Sequence, residues 1–225
     1  MKIIKREDVD EDKDIMNKAK KFSEFRKDCK EYLEEVGKNY DKFTKVEHDS
    51  ISGYLSEHAI SEYIKNNFNS IQTIELWKDQ FNIAKIKDII KNNDTSITSA
   101  KIVKNYFYDR WDMKLYKSNN DIIKADIKTA VTDKKPKDTW DFLYPVVQTK
   151  NDEKDIIILI YSIVENDKKI ETLDHFKLVG YSTPEIIKQC ETSCKGNNTL
   201  HGTTSQTNNY KTKINKHWYP LCKKF

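Results

Sequence analysis

"YDRWDMKLYKSNNDIIKADIKTAV", residues 108–131, is the stretch whose reading decides the fold. Two runs of extended character flank a polar Ser-Asn-Asn-Asp cluster, which predicts a β-hairpin turning about Asn119 and Asn120. In the second run Ile123, Ala125 and Ile127 fall on one face, and Lys124, Asp126 and Lys128 on the other. In the first run Met113 and Leu115 point one way, while Asp112 and Lys114 point the other. Pairing about the turn then places Asp112 next to or nearly opposite Asp126, with Lys128 about 7 Å along the same face.

Adjacent carboxylates repel, and each raises the other's cost of ionising. A fold tolerates such a pair when a divalent cation sits between the two groups on oxygen ligands. Upstream, "SISGYLSEHAISEYIKNNF" predicts a helix from about Ser50 to Phe68. Gly53, Glu57, Ile60, Ile64 and Phe68 lie on one of its stripes, so Glu57 interrupts an apolar face. A buried Glu is costly unless paired or bound to metal. Three carboxylates and one ammonium thus point to one site. Phosphodiester hydrolysis needs that set: Mg²⁺ on carboxylates neutralises phosphoryl charge and makes water nucleophilic, and a Lys stabilises the transition state.

Asp112, thirteen residues, then Asp126-Ile127-Lys128, with Glu57 on an earlier helix, resembles the PD-(D/E)XK nuclease superfamily. The resemblance implies a restriction endonuclease-like core: a central mixed sheet of four to five strands flanked by helices. It implies Asp112, Asp126 and Glu57 as Mg²⁺ ligands, with Mn²⁺ as a substitute, and Lys128 as the catalytic lysine. Gln148, in "VVQTK" on the next strand, resembles the glutamine that some members place beside the centre. Asp109, in "DRWD", is the alternative to Asp112 as ligand. The implied activity is DNA endonuclease cleavage, with a restriction-type enzyme and a homodimer among the forms the resemblance implies. A Holliday junction resolvase and a non-catalytic DNA-binding protein on the same scaffold are the alternatives.

The remaining chain fits a mixed α+β domain. Ile15, Ala19, Phe22, Phe25, Cys29, Tyr32 and Val36 recur at helical steps over residues 13–36, with Gly37 as the stop. Residues 71–92 read as a further helix, with Ile74, Trp77, Phe81, Ile86 and Ile89 inward. "WDFLYPVVQ" reads as a strand, and Asp141 within it as a strand-start carboxylate more than a ligand. "IIILIYSIV", residues 156–164, reads as a central strand covered on both faces. Thr183 and Pro184 open a helix as N-cap and first helical residue. The domain division expected is a helical extension over 1–48 and a nuclease-like domain over 49–225.

The formal charge of +4 is a mild excess, so any phosphate-binding surface must be a local patch. The tail supplies a candidate, with Lys211, Lys213 and Lys216 interleaved with Tyr210, Trp218 and Tyr219 for phosphate contact and base stacking. Its alternative is a last strand with Ile214 and Leu221 buried. The N-terminus carries no apolar signal region and no segment approaches a membrane span, so a soluble, intracellular protein with no membrane partner is expected. Cys190, Cys194, His217 and Cys222 sketch a structural zinc site, but their spacing fits poorly and reduced cysteines are expected instead. Glycine-rich phosphate loops are absent, which disfavours nucleotide hydrolysis.

Overall fold

The computed structural model describes residues 1–9, 14–36, 46–150, 153–165, 169–194 and 208–225. Strands β1 (Lys2–Lys5), β2 (Ile71–Leu76), β3 (Met113–Lys117), β4 (Ile122–Thr132), β6 (Ile156–Val164) and β7 (Leu173–Ser182) form a six-stranded sheet in the order β1-β7-β6-β4-β3-β2. Only β4 and β6 pair in parallel; the other neighbours run antiparallel. A second, three-stranded sheet is made of β5 (Asp141–Pro145), β9 (Asn209–Lys213) and β8 (Thr192–Ser193). The helices are α1 (Ile15–Glu35), α2 (Val46–Asn67), α3 (Ile83–Lys91), α4 (Ile97–Phe107), α5 (Pro184–Lys188) and α6 (Ile214–His217). The fold is therefore mixed α/β, with the helices first.

Strand β6 explains the layering. Its residues alternate between two apolar clusters, as a strand with no wet face must. Ile156, Ile158 and Ile160 pack with Ala125, Ile127, Met113 and Leu115 against Leu55, Ala59, Ile60 and Ile64 of α2. Ile157, Leu159 and Tyr161 pack the other way, against Tyr144, Ile187, Ile214 and Trp218 beneath the small sheet. Each fully buried Ile contributes about 1.5–3 kcal/mol, so this strand anchors both layers. A third cluster joins Phe25, Cys29, Tyr32 and Leu33 of α1 to Ile86, Ile89, Val103, Tyr106 and Phe107 of α3 and α4.

Several expectations hold. Helix α1 buries Ile15, Ala19, Phe25, Cys29 and Tyr32. The Thr183 hydroxyl caps α5 by accepting from the Ile186 N–H, with Pro184 in the first turn. Gly37, the expected helix stop, lies outside the described residues, as does the polar stretch 195–207.

Other expectations are corrected. The helix expected over 71–92 is strand β2, a 3-10 turn at Trp77–Gln80, and the shorter α3. Ile71–Leu76 pairs with β3, and sheet pairing overrides a helical spacing that short. The main sheet has six strands where four to five are expected, because β1 and β2 add its two edges. The division at residue 48 falls inside α2, while β1 pairs with β7 and α1 packs against α3 and α4. The N-terminal segment is thus woven into the same body. At the far end, Tyr181 and Tyr219 exchange backbone hydrogen bonds of 2.8 Å. Gly180 permits this approach: its φ is +146°, and a Cβ there would lie 2.1 Å from the Tyr219 carbonyl oxygen.

Candidate active site

The β3–β4 hairpin builds the site from its register. Asn120 takes a left-handed φ of 67° at the turn, and Met113 pairs with Ala125, Leu115 with Ile123. One step further, the Asp112 N–H donates to the Ala125 carbonyl at 2.9 Å. The Ile127 N–H in turn donates to Asp112 Oδ2. Asp112 is thereby fixed on either side of Asp126, by its main-chain N–H to Ala125 and by its carboxylate to Ile127. The juxtaposition expected from the two alternating runs is present.

Asp126 is 3% exposed and its two oxygens are fully engaged. Lys128 Nζ donates to Oδ1 at 3.0 Å and lies 2.9 Å from Oδ2. Lys154 Nζ donates to Oδ1 at 2.7 Å, and the Tyr144 hydroxyl to Oδ2 at 3.3 Å. Burial alone would raise this carboxyl, but the two ammonium groups outweigh it and hold Asp126 below the ordinary Asp range. Burial likewise works to lower Lys128, yet the charges of Asp126 and Asp112 keep its ammonium above its usual value.

Asp112 stands in the opposite condition. Burial first, then the charges of Asp126 and Glu57, push it well above the usual range, against the pull of Lys128. Asp109, the alternative ligand, is committed elsewhere: Arg26 Nη1 donates to its Oδ2 at 3.2 Å. Burial pushes Asp109 up to about 6, Arg26 offsetting part of that rise and Glu57 adding to it. Glu57 accepts from Lys78 Nζ at 3.0 Å and reaches Asp112 through its field. These groups line a cavity of ≈ 10 Å³ with Arg26, Trp77 and Tyr106, roughly the room one water takes.

Gln148 is not on a strand of the main sheet; it sits in a 3-10 segment, Val146–Lys150, after β5. Its buried Oε1 accepts no hydrogen bond among the described residues, and the same holds for Asp141 Oδ1. Trp218 is 6% exposed and donates its indole N–H to Thr212 Oγ1 at 3.1 Å, so it is a core residue and presents no ring for base stacking. Lys213 and Lys216 are exposed and Lys211 is half-buried; Lys211 and Lys213 are on β9 of the small sheet and Lys216 on α6. Cys29, Cys190, Cys194 and Cys222 are free thiols, and His217 accepts from the Lys213 N–H at 2.8 Å.

Among the described residues, no group of three or more His, Cys, Asp or Glu side chains is arranged to hold a metal ion. The donor set that suits one is the Asp112–Asp126 pair, two neighbouring buried carboxylates of which one lacks a contacting cation. Mg²⁺ retains several of its waters, so one or two carboxylates are a sufficient protein contribution. In this arrangement the carboxylate of Glu57 is taken by Lys78.

Sequence reading missed Lys154, Tyr144, Lys78 and Arg26. Lys154 had one available signal, its place just before the buried strand whose start lies beside Asp126. Comparison with known proteins adds nothing to this geometry: no family model, no curated protein and no solved structure matches the chain. No helix among the described residues is long and apolar enough to cross a membrane.

Proposed function

We propose that this chain is a metal-dependent nuclease that hydrolyses phosphodiester bonds in DNA, on a core of the restriction endonuclease-like kind. One observation carries the reading: the hairpin register sets two buried carboxylates side by side, with Lys128 bound to the second. A mixed sheet with α2 packed on one face and the short α5 and α6 on the other, and the paired acids at the open end of a hairpin, supports the same core.

Asp112 and Asp126 would hold Mg²⁺ or Mn²⁺, while Glu57, paired with Lys78, acts on Asp112 only through its charge. Such a cation supplies charge neutralisation at the phosphoryl oxygens and a more acidic water. The chain's own groups do the rest. Lys128, held as an ammonium, donates from Nζ to a phosphoryl oxygen as negative charge develops there. The Ile127 N–H fixes the rotamer of Asp112, and the Tyr144 hydroxyl fixes that of Asp126. A single centre cuts one strand, so double-strand cleavage calls for a homodimer.

The test is cleavage of supercoiled plasmid, four-way junction, flap and single-stranded DNA with Mg²⁺, with Mn²⁺ and with chelator. Divalent-dependent cleavage is expected, falling by about 10²–10³-fold or more in Asp126→Ala and in Lys128→Ala. DNA retardation with no cleavage of any substrate would replace the enzyme by a binding protein. Preference for the junction over linear duplex would make it a resolvase.

A further inference from the structure

Lys154 has no part in the chemistry above, yet it makes the shortest contact to the central carboxylate, 2.7 Å from Nζ to Asp126 Oδ1. Its side chain is 7% exposed, an unusual position for a lysine without a purpose. The residues on either side of it make contacts of their own. Glu153 meets Arg110 at 2.9 Å, beside Asp112 in sequence. The Asp155 carboxylate accepts from the Lys124 N–H at 2.8 Å, and the Asp155 N–H donates to the Lys124 carbonyl at 2.9 Å. The two flanking residues thus tie this segment to Arg110, ahead of β3, and to Lys124 of β4, with the intervening amine on Asp126.

The two amines on Asp126 are not equivalent. Lys128 lies in the field of both Asp126 and Asp112, so it is shared by the pair. Lys154 contacts Asp126 through Oδ1 and, among the described residues, pairs with no second carboxylate. Lys128 lies against both oxygens of Asp126 and Tyr144 against Oδ2, so a hard cation approaching Asp126 must displace one of the donors already there. Lys128 is also held by the charge of Asp112, so Lys154, whose ammonium a divalent charge on Asp126 would repel, is the donor left to give way.

We propose that Lys154 is a resident counter-ion for Asp126 that a divalent cation must displace, so that Lys154 sets how tightly the carboxylate pair takes the cation. The proposal rests on the metal-site reading given above. In the cation-free protein Lys154 keeps Asp126 ionised and in place; once displaced, its amine leaves Asp126 while the segment stays tied to β4 through Asp155.

Calorimetric titration of the whole protein with Mn²⁺ alone tests it, on wild type, Lys154→Met, Lys154→Gln and Asp126→Asn, with urea unfolding of each cation-free protein. Lys154→Met is expected to bind Mn²⁺ about tenfold more tightly or better, since a charge-assisted hydrogen bond no longer has to be broken. Its cation-free urea midpoint is expected to fall and to rise further on adding Mn²⁺ than that of wild type. A purely structural lysine would give weaker binding on removal. The Gln variant, which keeps a donor for Asp126, makes the same comparison if the Met protein loses its circular dichroism. Binding unchanged or weakened in both Lys154 variants, yet lost in Asp126→Asn, overturns this proposal and leaves the metal site standing. Binding absent from wild type and both Lys154 variants, or unaltered in Asp126→Asn, overturns the metal site and this proposal with it.

Discussion

Asp126 and Asp112 face each other across the open end of the β3–β4 hairpin, yet their surroundings differ. On the Asp126 side two ammonium groups and a phenol converge on one carboxylate, which stays ionised. On the Asp112 side the carboxylates of Asp109 and Glu57 gather, their cations Arg26 and Lys78 already engaged, and Asp112 keeps its proton to higher pH. A fold with no use for this imbalance could remove it by one neutral substitution. The difference shows what an incoming cation would find: one carboxylate pre-charged and one whose charge the cation itself must stabilise.

The sharpest way to break the contrast is Asp126→Ala. It leaves two lysines facing each other in a buried position, and the expected cost is about 3–5 kcal/mol in urea unfolding of the cation-free protein. A loss within about 0.5 kcal/mol, the surface-site range, would mean that the lysines swing out to solvent and the balanced side is not balanced at all. Arg26→Met comes next. The guanidinium pairs with Asp109, donates to the Phe107 carbonyl at 3.0 Å and lies 4.8 Å from the Phe107 ring centroid. Its loss is expected to cost about 2–3 kcal/mol by the same measurement, because Asp109 is left without its partner.

Asp112→Asn should act in the opposite direction. The amide oxygen still accepts from the Ile127 N–H, while the buried charge is gone, so the cation-free protein gains on the order of 1 kcal/mol near neutral pH. The sign carries over to acid. A carboxyl raised in the folded state weighs against folding above its folded pKa and not below its unfolded one. Lowering the pH from about 6 to 3.8 is therefore expected to stabilise the cation-free protein through Asp109, and Asp112 adds to the trend. Below 3.8 the lowered carboxyl of Asp126 reverses the slope. Urea midpoints at steps across this range read the bend, and a monotonic decline on acidification would contradict it. The smallest effect expected is for Arg110→Ala, whose pair with Glu153 is 56% and 38% exposed: within about 0.5 kcal/mol in stability.

The two sides also differ in how far they could be read from residues alone. Asp112, Asp126 and Lys128 share one hairpin, and a period of two about a polar turn fixes both register and face. That is local information, and the sequence carries it. Lys154, Tyr144 and Arg26 arrive from a loop, the small sheet and the first helix, and their placement depends on how layers dock. Strand β2 was illegible for a related reason: Ile71, Ile74 and Trp77 fit a helical step, and its two-sided, half-wet burial gives no alternation. The four residues of β1 carry no pattern of their own and find their partner only in β7, more than 160 positions away. Trp218 misled because interleaved Lys and aromatic residues look the same on a stacking platform and over a buried indole.

The single parallel pairing, β4 with β6, bears on how the molecule reaches this state. Parallel neighbours cannot be joined by a tight turn, so the polypeptide between them has to loop back through β5 before β6 can dock. Asp126 and Lys154 meet across 28 positions, which makes their contact a late arrival and the hairpin an early one. Refolding should therefore show carboxylates gathered before their ammonium partner is delivered, with closure on the order of milliseconds to seconds. During that interval a divalent ion in the refolding buffer would compete for the same oxygens, and the rate of the final phase should register its concentration.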